Sequence, residues 1–355
     1  MRLYHLNPHA EGVPRLMALA FWIAMIAVWE GNMRSSVKRA RIAVPDLVSN
    51  SYFPAIAAIA LDLFAREGLD AEHRLIFPNY KAYEALRDGE VDFVAGPAHV
   101  ALRAFPEWQG VKLLAALAQG TYWLLVMRAD LDAKLGDVSA VKGRTIAAAP
   151  LVEAPLRYLL SESGIDLERD GVRIVATPGT HEPGVSSGVR AAKALEAGEI
   201  DGFWANAMGA QNAIVGGIGK VILDIRRGIG PKAAFHYTMP VLATSDRTIK
   251  RDPEMVAAGL RAVVAAQRAL KNDVSLATTV GRKLFPAAEA ELIADVVARD
   301  LPYYTPTITE ESLTGLIRFA QATGLLKGSP SHEQMVATQF SHLWAATPRR
   351  GLSTD

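Results

Sequence analysis

Ala85-Leu86-Arg87-Asp88-Gly89-Glu90-Val91-Asp92-Phe93 is answered in the second half of the chain by Ala194-Leu195-Glu196-Ala197-Gly198-Glu199-Ile200-Asp201-Gly202-Phe203. Each copy reads as a helix end, a glycine in the left-handed stop position and a short strand entering the core. Working outward from the first copy, Arg41–Val44 is an apolar strand ended by Pro45, and Ala55–Arg66 is an Ala-, Ile- and Leu-rich helix closed by Gly68. Ala71–Phe77 is a strand, Tyr80–Arg87 a helix and Val91–Ala95 a strand. Around the second copy the order recurs: strand Thr145–Ala148, helix Glu153–Ser163, strand Val172–Ala176, helix Val189–Glu196, strand Ile200–Trp204. Strand–helix alternation predicts a mostly parallel sheet covered by helices. Meeting it twice predicts two similar lobes with a cleft between them. The Gly-Glu-x-Asp strings are scaffold on this reading, not a catalytic carboxylate pair.

Further strands are expected at Lys112–Ala118, Trp123–Arg128, Lys220–Ile225 and Met239–Thr244. Beyond Thr244 the texture becomes helical, over Pro253–Lys271, Ser275–Leu284, Ala287–Arg299 and Glu310–Thr323, with starts at Asp252-Pro253 and Thr309-Glu310. Such a tail packs back on the first lobe, so the chain crosses twice, near Met127–Asp130 and Tyr237–Thr244. The expected division is 38–128 plus 243–345 for lobe 1, 129–242 for lobe 2, an N-terminal segment 1–37 and a tail 346–355.

Across 355 residues, half hydrophobic and 21% charged, the composition is that of a globular protein with a sizeable core. Lys and Arg number 38 against 37 Asp and Glu, which gives no electrostatic case for nucleic acid as a partner. The chain has no cysteine, which excludes disulfides, thiolate catalysis, Cys-ligated zinc and a lipidated N-terminal Cys.

Leu16–Val28 is an uninterrupted apolar run preceded by Arg2 and Arg15. It is short for a bilayer span and suits a secretory h-region, although Trp29, Glu30 and Asn32 stand where small residues are expected. The expectation is export to the periplasm. An uncleaved anchor and true initiation at Met33 are the alternatives.

In open parallel sheets a ligand lies beyond the carboxyl ends of the strands, where helix N-termini present free N–H groups. Six strand exits supply candidates. The segment after Val44 offers Asn50, Ser51, Tyr52 and Phe53; Gly96–His99 offers Pro97 and His99; Gly120–Trp123 offers Tyr122 and Trp123. In the second half, Pro150 and Glu153 precede one helix, Ser186 and Ser187 another, and Trp204 and Asn206 end the last exit. His236 lies near the return crossing. Hydroxyls and amides mixed with flat rings suit a small solute with an apolar or aromatic body and an anionic or hydrogen-bonding end. Tyr52, His99, Ser187 and Asn206 are expected to face one shared cavity. For several residues a structural role competes: Ser51 and Ser187 as helix caps, Phe53 and Trp204 as core, Glu153 as an acid suited to a helix dipole.

Catalytic motifs fail on inspection. Gly184-Val185-Ser186-Ser187-Gly188 matches a nucleophile-elbow string, but Pro178, Gly179 and Pro183 separate it from the nearest strand. Val215–Lys220 resembles a phosphate loop, yet Ile214 stands in place of the first glycine and Val221 in place of Ser or Thr. No H-E-x-x-H or calcium-loop spacing occurs among the eight histidines and the acids, so no metal or cofactor is expected.

"LFAREGLDAE" (63–72), "ALRDGEVDF", "AVKGRTIAAAP" (140–150), "ALEAGEIDGFW" and "ATSDRTIKRDPEMVAAGLRAVVAAQRAL" (243–270) occur in an order that resembles the type II periplasmic binding proteins of ABC importers. The branch it is most similar to binds sulfonates, nitrate, taurine and thiamine-precursor pyrimidines. The resemblance spans about residues 40–325. It implies a two-lobed α/β fold that closes by hinge motion on a small solute at micromolar or tighter affinity and hands it to a membrane permease with its ATPase. It implies a monomeric receptor and no enzyme. The same scaffold also carries enzymes, so two alternatives stay open: pyrimidine-precursor synthesis and a menaquinone-pathway dehydratase or cyclase. The first uses a cysteine-rich motif that this chain lacks. A regulator's sensor domain is a third class, but no helix-turn-helix precedes residue 40.

Overall fold

The computed structural model describes residues 37–179 and 186–345. It divides into a unit of residues 1–39, almost wholly outside the described residues, and a unit Ala40–Asp355 that holds everything below. The apolar run 16–28, the tail 346–355 and the Gly184-Val185 part of the elbow-like string lie outside the described residues.

Two five-stranded sheets form the frame. The strands are β1 (Lys38–Val44), β2 (Leu69–Leu75), β3 (Phe93–Pro97), β4 (Val111–Ala116), β5 (Leu124–Arg128), β6 (Thr145–Ala148), β7 (Arg173–Ala176), β8 (Gly202–Ala205), β9 (Gly219–Asp224) and β10 (Pro240–Ser245). Their order is β2-β1-β3-β10-β4 in one sheet and β7-β6-β8-β5-β9 in the other. The second order repeats the first, strand for strand. β1 runs parallel to β3, and β6 parallel to β7 and β8. In each sheet the fourth strand is antiparallel to both neighbours.

That fourth strand corrects the expected lobe limits. From sequence, Trp123–Arg128 follows β4 and belongs with the first lobe, but β5 pairs with β8 and β9 in the second sheet. β10, which follows β9, returns to the first sheet between β3 and β4. Each sheet therefore takes one strand from across the cleft. The chain passes from one sheet to the other between Ala116 and Leu124, ahead of the expected Met127–Asp130, and between Asp224 and Pro240, which overlaps the expected Tyr237–Thr244 at Tyr237–Met239.

The repeated phrase has a physical reason. Gly89 and Gly198 sit at φ 82° and 72°, the left-handed turn that suits a residue without Cβ. Three residues on, Asp92 accepts a hydrogen bond from the Arg41 backbone N–H at 3.0 Å, and Asp201 accepts one from the Thr145 N–H at 2.9 Å. The same carboxylate thus pins the first strand of each half to the third.

Nine helices of eight residues or more cover the described parts of the sheets: α1 (Phe53–Ala60), α2 (Asn79–Asp88), α3 (Glu153–Glu162), α4 (Ser187–Glu196), α5 (Ala207–Val215), α6 (Pro253–Asn272), α7 (Leu276–Leu284), α8 (Ala287–Asp300) and α9 (Glu310–Ala322). Asp252 and Thr309 cap α6 and α9 by accepting from the Met255 and Ser312 amides. α6 lies so close to the first sheet that a Cβ on Gly259 would stand 2.8 Å from the Phe93 ring. The tail also reaches the second lobe: Asn212 of α5 donates to Glu289 of α8. No helix of the described residues is long and apolar enough to cross a membrane.

Candidate functional site

A cavity of about 30 Å³ opens where the two sheets face each other, lined by the exits of β1, β2, β6 and β8 and by Trp123. Five helices begin on its wall. Tyr52, Val152 and Asn206 are the N-caps of α1, α3 and α5, and Asn79 and Ser187 are the first residues of α2 and α4. The strand–helix order puts them there, because β1, β2, β6 and β8 end at this edge and the five helices named start from it.

Asp46 is the pivot. It follows β1, and Oδ2 accepts from Ser186 Oγ at 2.8 Å and from Asn206 Nδ2 at 3.2 Å. Ser186 and Asn206 belong to the opposite sheet's helices, so these bonds cross the cleft. Asn206 is held by both ends of its amide: Oδ1 caps α5 on the Gly209 N–H at 3.1 Å, and Nδ2 also reaches Ser49 Oγ at 3.3 Å. Gly188 and Gly209 let α4 and α5 touch here; a Cβ on Gly188 would stand 2.6 Å from Asn206 Oδ1. Asp46 is only partly buried as a residue, but its Oδ1 is shut off from solvent and has no hydrogen-bond partner among the described residues. Burial pushes its carboxyl up to about 7, against the opposing pull of Ser186, Asn206 and the nearby Val48 and Ser187 amides. Two more buried polar atoms on the wall, Ser51 Oγ and Trp204 Nε1, lack partners among the described residues.

Aromatic rings close the rest of the wall. Tyr52 meets Tyr122 edge-on at 6.2 Å with the hydroxyls 3.1 Å apart, Tyr122 leans on Trp123 at 4.4 Å, and Trp123 lies 6.3 Å from Trp204. Burial, with the Asp46 charge beside it, raises the Tyr52 phenol well above its ordinary value, so the ring stays neutral.

Of the sequence candidates, Ser51, Tyr52, Trp123, Ser187, Trp204 and Asn206 line the cavity. Ser186 stands behind Asp46 and Tyr122 behind Tyr52. Asn50 donates to Asp300 at 2.6 Å, off the wall. Phe53 packs edge-on against Phe285 in the core. Pro97 presents its carbonyl to Tyr83, Pro150 and Glu153 lie off the wall beside Ala149 and Val152, and His236 faces Glu311 at 3.4 Å. His99 is also off the shared wall. Its Nε2 meets the Leu151 carbonyl at 3.0 Å and its Nδ1 meets Thr238 Oγ1 at 2.9 Å, so the ring is a neutral tie between lobes. Burial holds its pKa down to about 4. Neither Ser51 nor Ser187 caps a helix; Asn206 does.

Sequence reasoning passes over Asp46, Ser49, Phe77 and Asn79, all on the wall. Phe77 and Asn79 follow β2, a seventh strand exit to which the same rule applies. Asp46 follows Pro45 and reads as a turn residue.

The sequence profile of the NMT1/THI5-like family matches residues 49–273, more than half of the chain and all but the first part of the site. The chain belongs to the NMT1/THI5-like family. No curated protein sequence matches it. Solved structures share the fold of this NMT1/THI5-like chain at low identity. The periplasmic sulfonate-binding protein SsuA of Methylobacillus flagellatus KT is 19% identical over 87% of this chain and 94% of its own, with a TM-score of 0.62. The periplasmic nitrate-binding protein NrtA of Synechocystis PCC 6803 is 11% identical over 87% and 89%, also at 0.62. The desulfurization enzyme DszB is 14% identical over 86% and 99%, at 0.57. The expected two-lobed binding-protein fold is thus the fold of this NMT1/THI5-like chain.

Proposed function

We propose that this chain is the substrate-binding protein of an ABC importer, exported to the periplasm, which captures a small solute between its lobes by hinge closure and hands it to a permease. One observation carries the reading: side chains of both lobes converge on one cavity and bond across it, Asp46 to Ser186 and Asn206. A cavity of about 30 Å³ holds a water or two, so a solute enters only if the lobes part. The crossings 117–123 and 225–239 are the hinge we assign, with lobe 1 comprising 40–116 and 240–345 and lobe 2 comprising 124–224. Sulfonate and nitrate binding among the fold relatives supports a solute of that size. An enzyme reading finds no support among the described residues of the wall: no histidine bonds to Ser51 there, and Ser186 is bonded to a carboxylate.

The chain's lack of cysteine makes the test direct. Glu72→Cys on the exposed face of β2 and Glu168→Cys before β7 place one dye on each lobe. Solute should change transfer efficiency between the dyes saturably, together with quenching of Trp123 and Trp204. A solute that quenches tryptophan while the inter-dye distance stays fixed would sink hinge closure.

A further inference from the structure

We propose that α9 is a clasp that holds the two lobes together from outside the cavity, so that the strength of solute capture is set partly by residues no solute touches. This rests on the receptor reading and deepens its hinge.

The buried stripe of α9 is divided between the lobes. Leu313, Leu316 and Ala320 pack in the core of the first lobe. Phe319, fully buried on the same helix, turns to the other side. Its ring stacks on Tyr237 of the second crossing, with centroids 5.3 Å apart and planes 18° apart, and lies 5.8 Å from Tyr158 of α3, in lobe 2. Tyr158 and Tyr237 are themselves 4.9 Å apart, so rings from lobe 1, lobe 2 and the hinge meet in one cluster. The Tyr237 hydroxyl is buried without a hydrogen-bond partner among the described residues, so ring packing rather than a side-chain bond holds this tyrosine.

Lobe 2 answers with Leu151. Its side chain packs against the first lobe's core, and its carbonyl accepts from His99 Nε2 at 3.0 Å. Leu151 sits at φ 64°, the left-handed region in which a residue with a Cβ is strained. Such a conformation persists only where its surroundings over-determine it, and here those surroundings belong to the opposite lobe. The Phe319 ring lies 5.5 Å from the His99 ring, which joins the two halves of the clasp. Ala149 and Val152, close on either side of Leu151, line the cavity, so the clasp adjoins the wall without forming it.

Parting the lobes separates Phe319 from Tyr158 and Leu151 from His99 together. The clasp therefore favours the closed form, and the closed fraction scales the affinity for every solute alike. The wall decides which solute is held; the clasp decides how tightly.

Single-molecule energy transfer in the full chain carrying the Glu72→Cys and Glu168→Cys dyes tests this with no solute added. Tyr158→Ala and Phe319→Ala should each raise the ratio of low-transfer to high-transfer chains about fivefold or more, and Tyr158→Phe, which keeps the ring, should leave it at the native value. If Phe319→Ala fails to fold, Tyr158→Ala, at a half-buried position, decides by itself. Ser186→Ala, which removes a bond across the cavity, is the control for opening. A ratio that rises in Ser186→Ala but stays native in the folded clasp variants overturns the proposal and leaves hinge closure intact. One fixed transfer value in the native chain and in every variant overturns hinge closure and the clasp with it.

Discussion

His99 and Asp46 are buried ionisable groups with opposite effects on how the protein responds to pH. His99 carries its proton on Nε2 for the Leu151 carbonyl and accepts one from Thr238 at Nδ1, so protonation of Nδ1 makes it a second donor and forces the Thr238 hydroxyl to reverse its role. Its folded pKa of about 4 lies below the ordinary 6.5, so the unfolded chain takes the proton first. Stability from this residue is complete above pH 6.5 and is lost as pH falls from 6.5 to 4, by up to about 3 kcal/mol. Urea denaturation of wild type and His99→Gln across that window should show the steeper loss in wild type. Equal slopes would mean that the ring is solvated. Asp46 runs the other way: its folded pKa is raised, so the closed, solute-free site is stabilised at acid pH and loses that stability as pH rises through 7. Neither role is legible from sequence. His99 reads there as a strand-exit residue, but its partners lie far along the chain. Asp46 escapes notice because Pro-Asp after a strand signals a turn.

The helix–glycine–strand phrase shows what sequence does encode at the level of elements. The stop glycines, the helix caps at Asp252 and Thr309 and the strand exits are local signals, and each stands where chain chemistry places it. The two copies differ in what surrounds the aspartate. Asp92 is 3% exposed and paired with Arg41 at 3.0 Å and Arg251 at 2.7 Å. Burial opposes its charge, but these arginines outweigh it and hold the carboxyl below its usual range. Asp201 is more open, with Arg128 at 3.8 Å and Arg144 at 4.0 Å. Asp92→Ala should therefore cost about 3 kcal/mol and Asp201→Ala about 1 kcal/mol in chemical denaturation. Equal costs would show that the backbone bond, common to both, is the whole contribution. Partner choice between strands is not legible at this scale. β5 reads as the next strand after β4, and only long-range pairing sends it to the other sheet.

Across the whole molecule, the C-terminal helices tie the lobes on the side where Asp300 ends α8. Asp300 meets Arg226, which follows β9, with both side chains 3% exposed. It also accepts from Asn50, behind the cavity. Removing one partner leaves an uncompensated buried charge. Asp300→Ala should cost about 3–5 kcal/mol, and adding Arg226→Met should restore much of that loss. No recovery in the double variant would show that Asp300 acts mainly through Asn50. The two-sheet frame, the cleft and the C-terminal helices follow from order and spacing along the chain. The hinge does not, because crossing positions depend on which sheet receives β5 and β10.

The most direct measurement is to saturate the purified protein with the small solute that binds it most tightly, denature it and weigh what is recovered. A receptor returns one unaltered solute molecule per chain. Recovery of a product of new mass, accumulating beyond one per chain, would contradict it.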